Sequence, residues 1–503
     1  TYHYRAKAVG HSTVYGDDMS FITTTNPPVV TTVAASSITT NSVRLNGNLT
    51  SLGTATSVTV SFQWGTSSGS YPSETTGVAK TAIGAFYFDL GSLSPTTIYY
   101  YRAKAAGHGT AYGEEGSFTT LTPPTVTTNA ASDVTTSSAR LHGNLTSKGT
   151  AGTVTVSFQW GTSSGVYPNE TAGDAMTGTG AFYFDLGGLD HSDTYYYRAK
   201  AVGDSTVYGD ERTFTTLTPP AVTTNTAGEV TTNSARLNGN LTSLGTASSV
   251  TVSFVWGTSS GSYPNETTGQ DMTGTGTFYF SLGSLGHSTT YYYRAKAVGD
   301  STEYGAERTF TTLTPPAVTT NAANYLTTVS ARLNGDLTSL GTADSVTVCF
   351  EWGTSSGSYP YETAEVARTS IGSFYFDLGS LTHSTTYYYR ARAVGNSTVY
   401  GAERSFTTLT PPAVTTNAAS YITTISGRLN GDLTSLGTAG SVTVSFEWGT
   451  TSGSYSYATT GQAVTSTGAF YFDLGSLAHS TTYYFRAKAV GDSTVYGVER
   501  SFT

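Results

Sequence analysis

Tyr195-Tyr196-Tyr197-Arg198-Ala199-Lys200-Ala201 alternates without a break. On an extended chain Tyr195, Tyr197, Ala199 and Ala201 fall on one side, and Tyr196, Arg198 and Lys200 on the other. That is the period of a strand with one face in a core and one in water. The same period runs outward in both directions. Phe182-Tyr183-Phe184-Asp185-Leu186 turns Phe182, Phe184 and Leu186 inward, and Val154 to Trp160 does so with Val154, Val156, Phe158 and Trp160. Ala139, Leu141 and Leu145 share a face in an earlier segment, and Glu211-Arg212-Thr213-Phe214-Thr215-Thr216 reads as a last strand. No stretch carries a helical period. Short strands separated by Gly, Ser and Asn turns predict an all-β, two-sheet sandwich.

The stretch recurs. Trp64, Trp160, Trp256, Trp352 and Trp448 are each 96 residues apart, and the proline pairs that begin at Pro27, Pro123, Pro219, Pro315 and Pro411 keep the same step. Two unrelated markers locked to one period define a tandem array, and a unit of about 100 residues can bury its own core. The expected domains are 27–122, 123–218, 219–314, 315–410 and 411–503, preceded at 1–26 by the C-terminal strands of a truncated repeat. Thr1-Tyr2-His3-Tyr4-Arg5-Ala6-Lys7 matches the stretch from Tyr99 to Lys104, so both ends read as cut from a longer repeat chain.

Composition narrows the functions. Only 11% of the 503 residues are charged and the net charge is −9, with cations spaced singly rather than in runs. Nucleic acid binding needs clustered Lys and Arg, so it is not expected. No apolar run reaches the roughly 18 residues of a membrane span. The one cysteine, Cys349, stands where sister repeats have Ser61, Ser157, Ser253 and Ser445, and it has no partner for an internal disulfide.

Leu93-Ser94-Pro95-Thr96-Thr97-Ile98-Tyr99-Tyr100-Tyr101-Arg102-Ala103-Lys104-Ala105 resembles the corner between strands E and F of fibronectin type III domains. Phe350-Glu351-Trp352-Gly353-Thr354-Ser355-Ser356-Gly357-Ser358-Tyr359 resembles a variant of that family common in bacterial and archaeal surface proteins. The resemblance covers the whole chain and implies a tandem array of immunoglobulin-like sandwiches. It implies a tyrosine corner at Tyr99, Tyr195, Tyr291, Tyr387 and Tyr483, each hydroxyl returning to a backbone group. It also places Tyr101 where an immunoglobulin domain has its second cysteine. One departure is visible: the core tryptophan sits on the strand after the usual one.

Joints such as Thr215-Thr216-Leu217-Thr218-Pro219-Pro220-Ala221-Val222 hold no Gly-Ser spacer, and paired prolines keep the backbone extended. A short, semi-rigid connection and a rod or gently coiled string are expected.

Five groups of residues are candidates for function. Tyr100, Tyr196, Tyr292, Tyr388 and Tyr484, with Tyr87, Tyr183, Tyr279, Tyr375 and Tyr471 on an inferred neighbouring strand, form an outward stripe suited to self-association or to sugar stacking. Asn48, Asn144, Asn169, Asn240, Asn265 and Asn396 head glycosylation sequons. The pairs Arg140 with Asp185 and Glu351 with Arg390 read as cross-strand ion pairs. His191, His287, His383 and His479 stand one to a domain and read as turn residues, with a pH-sensitive contact between domains as the alternative. Asp336 and Asp432 are too isolated for a calcium site, which needs several oxygen ligands. No repeat carries a nucleophile, metal or phosphate-binding motif. The expectation is a non-catalytic extracellular structural repeat protein without cofactor or metal, the subunit of a self-associating filament, sheath or stalk. The alternatives are a multivalent adhesin for cell-surface glycans and a spacer within a larger exported enzyme.

Overall fold

Alternation becomes architecture the same way in every repeat: nine strands in two sheets. The computed structural model describes residues 1–503. Strands are numbered here within the repeat 123–218: β1 Thr125–Ser132, β2 Ser138–Ser147, β3 Val154–Gly161, β4 Asn169–Glu170, β5 Asp174–Met176, β6 Gly180–Gly187, β7 Thr194–Val202, β8 Thr206–Tyr208 and β9 Arg212–Thr215. One sheet runs β1-β2-β6 and the other β4-β3-β7-β8, with β5 paired to β3 and β9 to β7. All the pairings are antiparallel. The chain is thus all-β, a tandem series of immunoglobulin-like sandwiches.

The inward residues meet between the sheets. Leu141, Leu145, Val154, Val156, Phe158, Tyr197, Ala199 and Ala201 are wholly buried, and Phe182, Leu186 and Tyr195 nearly so. The alanines of β7 leave room for Phe158, and Gly143 leaves room for Phe182. A Cβ at Gly143 would lie 2.5 Å from the Phe182 ring, which explains a glycine in mid-strand. The same contact recurs between Gly47 and Phe86 and between Gly239 and Phe278.

Two hydroxyls fix the sheets against each other. Tyr195, the corner tyrosine, accepts a hydrogen bond from the Asp190 amide at 2.9 Å, five residues back, and the four sister corners do likewise. Tyr197 donates across the sandwich to the carbonyl of Asn129 on β1 at 2.7 Å. Tyr101, Tyr293 and Tyr389 repeat that bond, whereas the last repeat has Phe485 there and no hydroxyl to offer.

The tryptophans depart from expectation. They are half-buried at the end of β3, edge-on to the corner tyrosine (Trp64 to Tyr99, 5.7 Å between centroids), while Phe158 and Tyr197 fill the centre. Trp160 packs against the core while staying only partly buried.

By internal contacts the chain divides into two compact units. One comprises Thr1–Ala221, Ser243–Val250 and Val298–Glu303. The other comprises Val222–Thr242, Thr251–Ala297 and Tyr304–Thr503. In the first, residues 1–26 form two exposed two-stranded ladders, in which Tyr2 pairs with Phe21 and stacks on it at 5.3 Å. That is the pairing of Tyr99 with Phe118, without the rest of a core.

Joints within these units are hydrogen-bonded, beyond the stiffness of proline. The Thr122 amide donates to Thr150 Oγ1 at 3.0 Å, and the Thr150 amide donates back to the Thr122 carbonyl at 3.1 Å. Thr96 Oγ1 reaches Thr122 Oγ1 at 3.1 Å from the other side. Gly149 has φ of +63°, and a Cβ there would stand 2.0 Å from the Thr122 carbonyl oxygen. The second proline of each pair is buried in the repeat that it opens.

Candidate functional site

Each sandwich offers two outer faces, and the tyrosine stripes divide between them. Tyr183 is on β6 of the three-stranded sheet and Tyr196 on β7 of the other, so they lie on opposite sides of the repeat. The single stripe expected from the sequence is therefore corrected to two. A period of two assigns a residue to a face, not to a sheet. Exposure separates them further. Tyr87, Tyr183, Tyr279, Tyr375 and Tyr471 are 55–63% exposed, whereas Tyr100, Tyr196, Tyr292, Tyr388 and Tyr484 are half-buried.

On the three-stranded face, Arg140 sits opposite Asp185 in register and donates from Nε and Nη2 at 2.6 and 2.9 Å. The guanidinium also covers the Tyr183 ring at 4.4 Å from its centroid. Arg44, Arg332 and Arg428 repeat both contacts with Asp89 and Tyr87, Asp377 and Tyr375, and Asp473 and Tyr471. The Arg140 guanidinium holds Asp185 below its usual carboxylate range, and Asp185 raises Arg140 in return. In the third repeat Ser281 replaces the Asp, and Arg236 pairs with Glu229 at 2.6 Å instead.

The other face holds a constellation that strand periodicity does not reveal. Arg198 is clamped between Tyr167 and Tyr208, 4.4 and 3.8 Å from the ring centroids, and the clamp recurs at Arg102, Arg294, Arg390 and Arg486. Tyr167 donates its hydroxyl to Glu211, which also accepts from Ser164 and from the Gly165 amide. Hydrogen bonds from Tyr167, Ser164 and Gly165 hold Glu211 below the usual range. Burial and the Glu499 carboxylate push the sister Tyr455 up to about 12. Arg198 donates to Gln159, and Arg390 makes its expected ion pair with Glu351 at 2.7 Å. Tyr167 lies in a loop and Tyr208 on a three-residue strand, so neither had a periodic signal; their 96-residue recurrence was the only available clue.

The remaining candidates are dispersed. Asn48, Asn144 and Asn240 are half-buried on the outer face of the central strand of the three-stranded sheet, and Asn169 and Asn265 are exposed. Asn396 donates its amide nitrogen to Thr342 Oγ1 at 2.5 Å, so one of its two amide hydrogens is engaged. The four turn histidines are exposed, with His191 and His383 touching their neighbouring serines. The Asp336 carboxylate accepts from Asn321 Nδ2 at 2.8 Å. Cys349 is buried near Glu362 and Glu365, but Arg392 already pairs with both carboxylates. Burial pushes the thiol up to about 11.

One position stands apart. The residue after β1 has φ near +50° in all five repeats, at Ser37, Asp133, Glu229, Tyr325 and Tyr421. A left-handed backbone costs a residue with a side chain about 1–2 kcal/mol, and a bulky one there is unusual. In the fourth and fifth repeats it is nevertheless a tyrosine, 72% and 76% exposed.

No protein-family model matches the chain, and no curated protein does. Among matching solved structures is a Salmonella alpha-2-macroglobulin reacted with methylamine, at 11% identity and a TM-score of 0.24, matched over 99% of this chain and 41% of that one. The FN1–FN3 domains of chicken CNTN1 match at 14% identity and a TM-score of 0.20, over 57% of this chain and 99% of theirs. An Escherichia coli alpha-2-macroglobulin activated by porcine elastase matches at 10% and 0.20, over 95% of this chain and 53% of that one. The chain thus spans about half the length of the macroglobulins or less. No helix is long and apolar enough to cross a membrane.

Proposed function

We propose that this chain is a non-catalytic structural segment of an extracellular fibronectin type III-like array, of the variant seen in bacterial and archaeal surface proteins, and that it associates with copies of itself. The observation that carries the reading is the fivefold presentation of one exposed tyrosine, Tyr87 and its four sisters, over an arginine on the same outer sheet. Aromatics backed by arginine supply large contact area at small entropic cost. An identical patch at a constant step along the chain suits association that does not close, which yields fibres. The half-buried Tyr100 set is left out of the contact, since much of its surface is already covered.

Electron microscopy of the full chain at neutral pH tests this. Ordered filaments whose axial repeat is commensurate with one domain are expected. Replacement of all five exposed tyrosines by Ser should abolish them, while the melting transition of the sandwiches persists. Dispersed single molecules at high concentration would overturn the reading.

A further inference from the structure

Tyr325 and Tyr421 line a pair of matching surface hollows. In the fourth repeat the hollow is lined by Tyr325, Thr327, Ser330, Arg332, Asp377 and Leu378. In the fifth it is formed by Tyr421, Arg428, Asp473 and Leu474, with Thr423 and Ser426. The Arg332 guanidinium lies between two rings, 3.9 Å from Tyr375 and 5.0 Å from Tyr325. Arg428 repeats this at 3.7 and 4.9 Å with Tyr471 and Tyr421.

The second ring is an addition to the fold. The first repeat builds the arginine, aspartate and first tyrosine with Ser37 in that place, and the second and third place Asp133 and Glu229 near the arginine instead. The left-handed backbone is common to all five repeats, so what the fourth and fifth add is a bulky, largely exposed ring that shares the arginine with the first tyrosine.

We infer that these two hollows bind neutral pyranose residues of a glycan. Three features select that chemistry. The largely exposed Tyr325 ring offers an apolar platform for the C–H face of a sugar. Asp377 and Arg332 neutralise each other through Nε and Nη2, so the site presents both acceptors and Nη1 donors with no net charge. That disfavours an anion and a cation alike and suits hydroxyl groups. Leu378 and the Thr327 and Ser330 hydroxyls, which bond each other at 2.7 Å, complete an amphipathic lining of sugar size. Two sites on one chain gain by avidity on a polymeric ligand. The inference does not depend on self-association.

Saturation-transfer NMR on the full 503-residue chain, with cellohexaose and mannohexaose as neutral probes and sialyllactose as the charged one, tests it. Binding of a neutral probe is expected, with at least a tenfold loss in the double variant Tyr325→Ser, Tyr421→Ser. Serine is the first repeat's own residue there, so the fold should hold, and an unchanged melting profile checks that. The double variant Tyr325→Phe, Tyr421→Phe keeps both rings and should bind within a few-fold of the parent. The inference is overturned if the parent binds neither neutral probe, prefers sialyllactose, binds undiminished with serine at both positions, or loses binding with phenylalanine. Filaments seen by microscopy in the serine variant would show that the two readings fail separately.

Discussion

The amide of Thr410 donates to Oγ1 of Thr438 at 3.0 Å, and the amide of Thr438 donates back to the carbonyl of Thr410 at 3.0 Å. The last residue of one repeat and a turn of the next thus hold each other through two bonds. Ser384, on the corner turn of the fourth repeat, braces Thr410 from behind at 3.0 Å. The joint is a fixed contact that happens to contain prolines.

Replacing Gly437 by Ala should loosen it. Gly437 has φ of +67°, and an added Cβ would stand 2.0 Å from the Thr410 carbonyl oxygen. The left-handed backbone alone costs about 1–2 kcal/mol, and the clash adds to that. Spin labels on the fourth and fifth repeats should report a broader distance distribution in the variant by pulsed electron resonance. An unchanged width would show that the prolines suffice.

The hydroxyl of Tyr389 spans the sandwich to the Asn321 carbonyl at 2.6 Å, a bond the fifth repeat lacks because it carries Phe485. Tyr389→Phe should cost its repeat about 1–3 kcal/mol, the usual penalty for leaving a buried acceptor unpaired. Hydrogen exchange of β-strand amides in the fourth repeat should speed up, with the second repeat unaffected.

Gly143→Ala should be more damaging than its size suggests. The new methyl would meet the Phe182 ring at 2.5 Å across the sheet, so either the ring or the strand must move. Overpacking of this kind costs about 1–3 kcal/mol. Pairing it with Phe182→Leu should recover part of the loss in a denaturant midpoint, because the smaller side chain vacates the contested space.

Acid should weaken the array below the ordinary carboxylate range. Burial raises Glu170, but bonds from Lys200, Gln159 and Ser157 outweigh it and leave the group lowered; Asp185 and Glu211 are lowered too. A carboxyl group lowered by folding stabilises the fold fully above its unfolded value, about 4. That stabilisation is lost as pH falls through the lower folded value. Urea midpoints should be flat from about pH 5 to 8 and drop below about pH 4. A steady decline starting near pH 6 would overturn this account.

Cys349 should resist thiol reagents at neutral pH. It is buried, with its thiol pushed up to about 11, so little thiolate exists to react. Labelling should appear only with denaturant, and at the rate of unfolding of the fourth repeat.

Much of this could be read in the chain before its coordinates. The alternation around Tyr195 gave the buried faces, the corner motif gave a hydroxyl returning to the backbone, at Asp190 in the fold, and the outward positions on inferred neighbouring strands gave Arg140 with Asp185. What stayed hidden depends on which strands become neighbours. Tyr183 and Tyr196 are equally outward in sequence, yet the crossover at the corner sends them to opposite sheets. The clamp on Arg198 draws its rings from a loop and a three-residue strand, where no local period exists to read. Nothing in the sequence marks the left-handed backbone of Tyr325, which appears only in the fold.

The ring-clamped arginines carry a consequence for the setting in which such an array could serve. Each Arg of the set at 102, 198, 294, 390 and 486 lies over two tyrosine rings. Dissolved ions screen bare charges in proportion to how freely they approach them. Charges laid beside rings, and joints made from backbone amides, are what salt reaches least, whereas outer pairs such as Arg140 with Asp185 stay open to it. Fresh water and brine should therefore differ for this chain at its outer ion pairs and hardly at its joints.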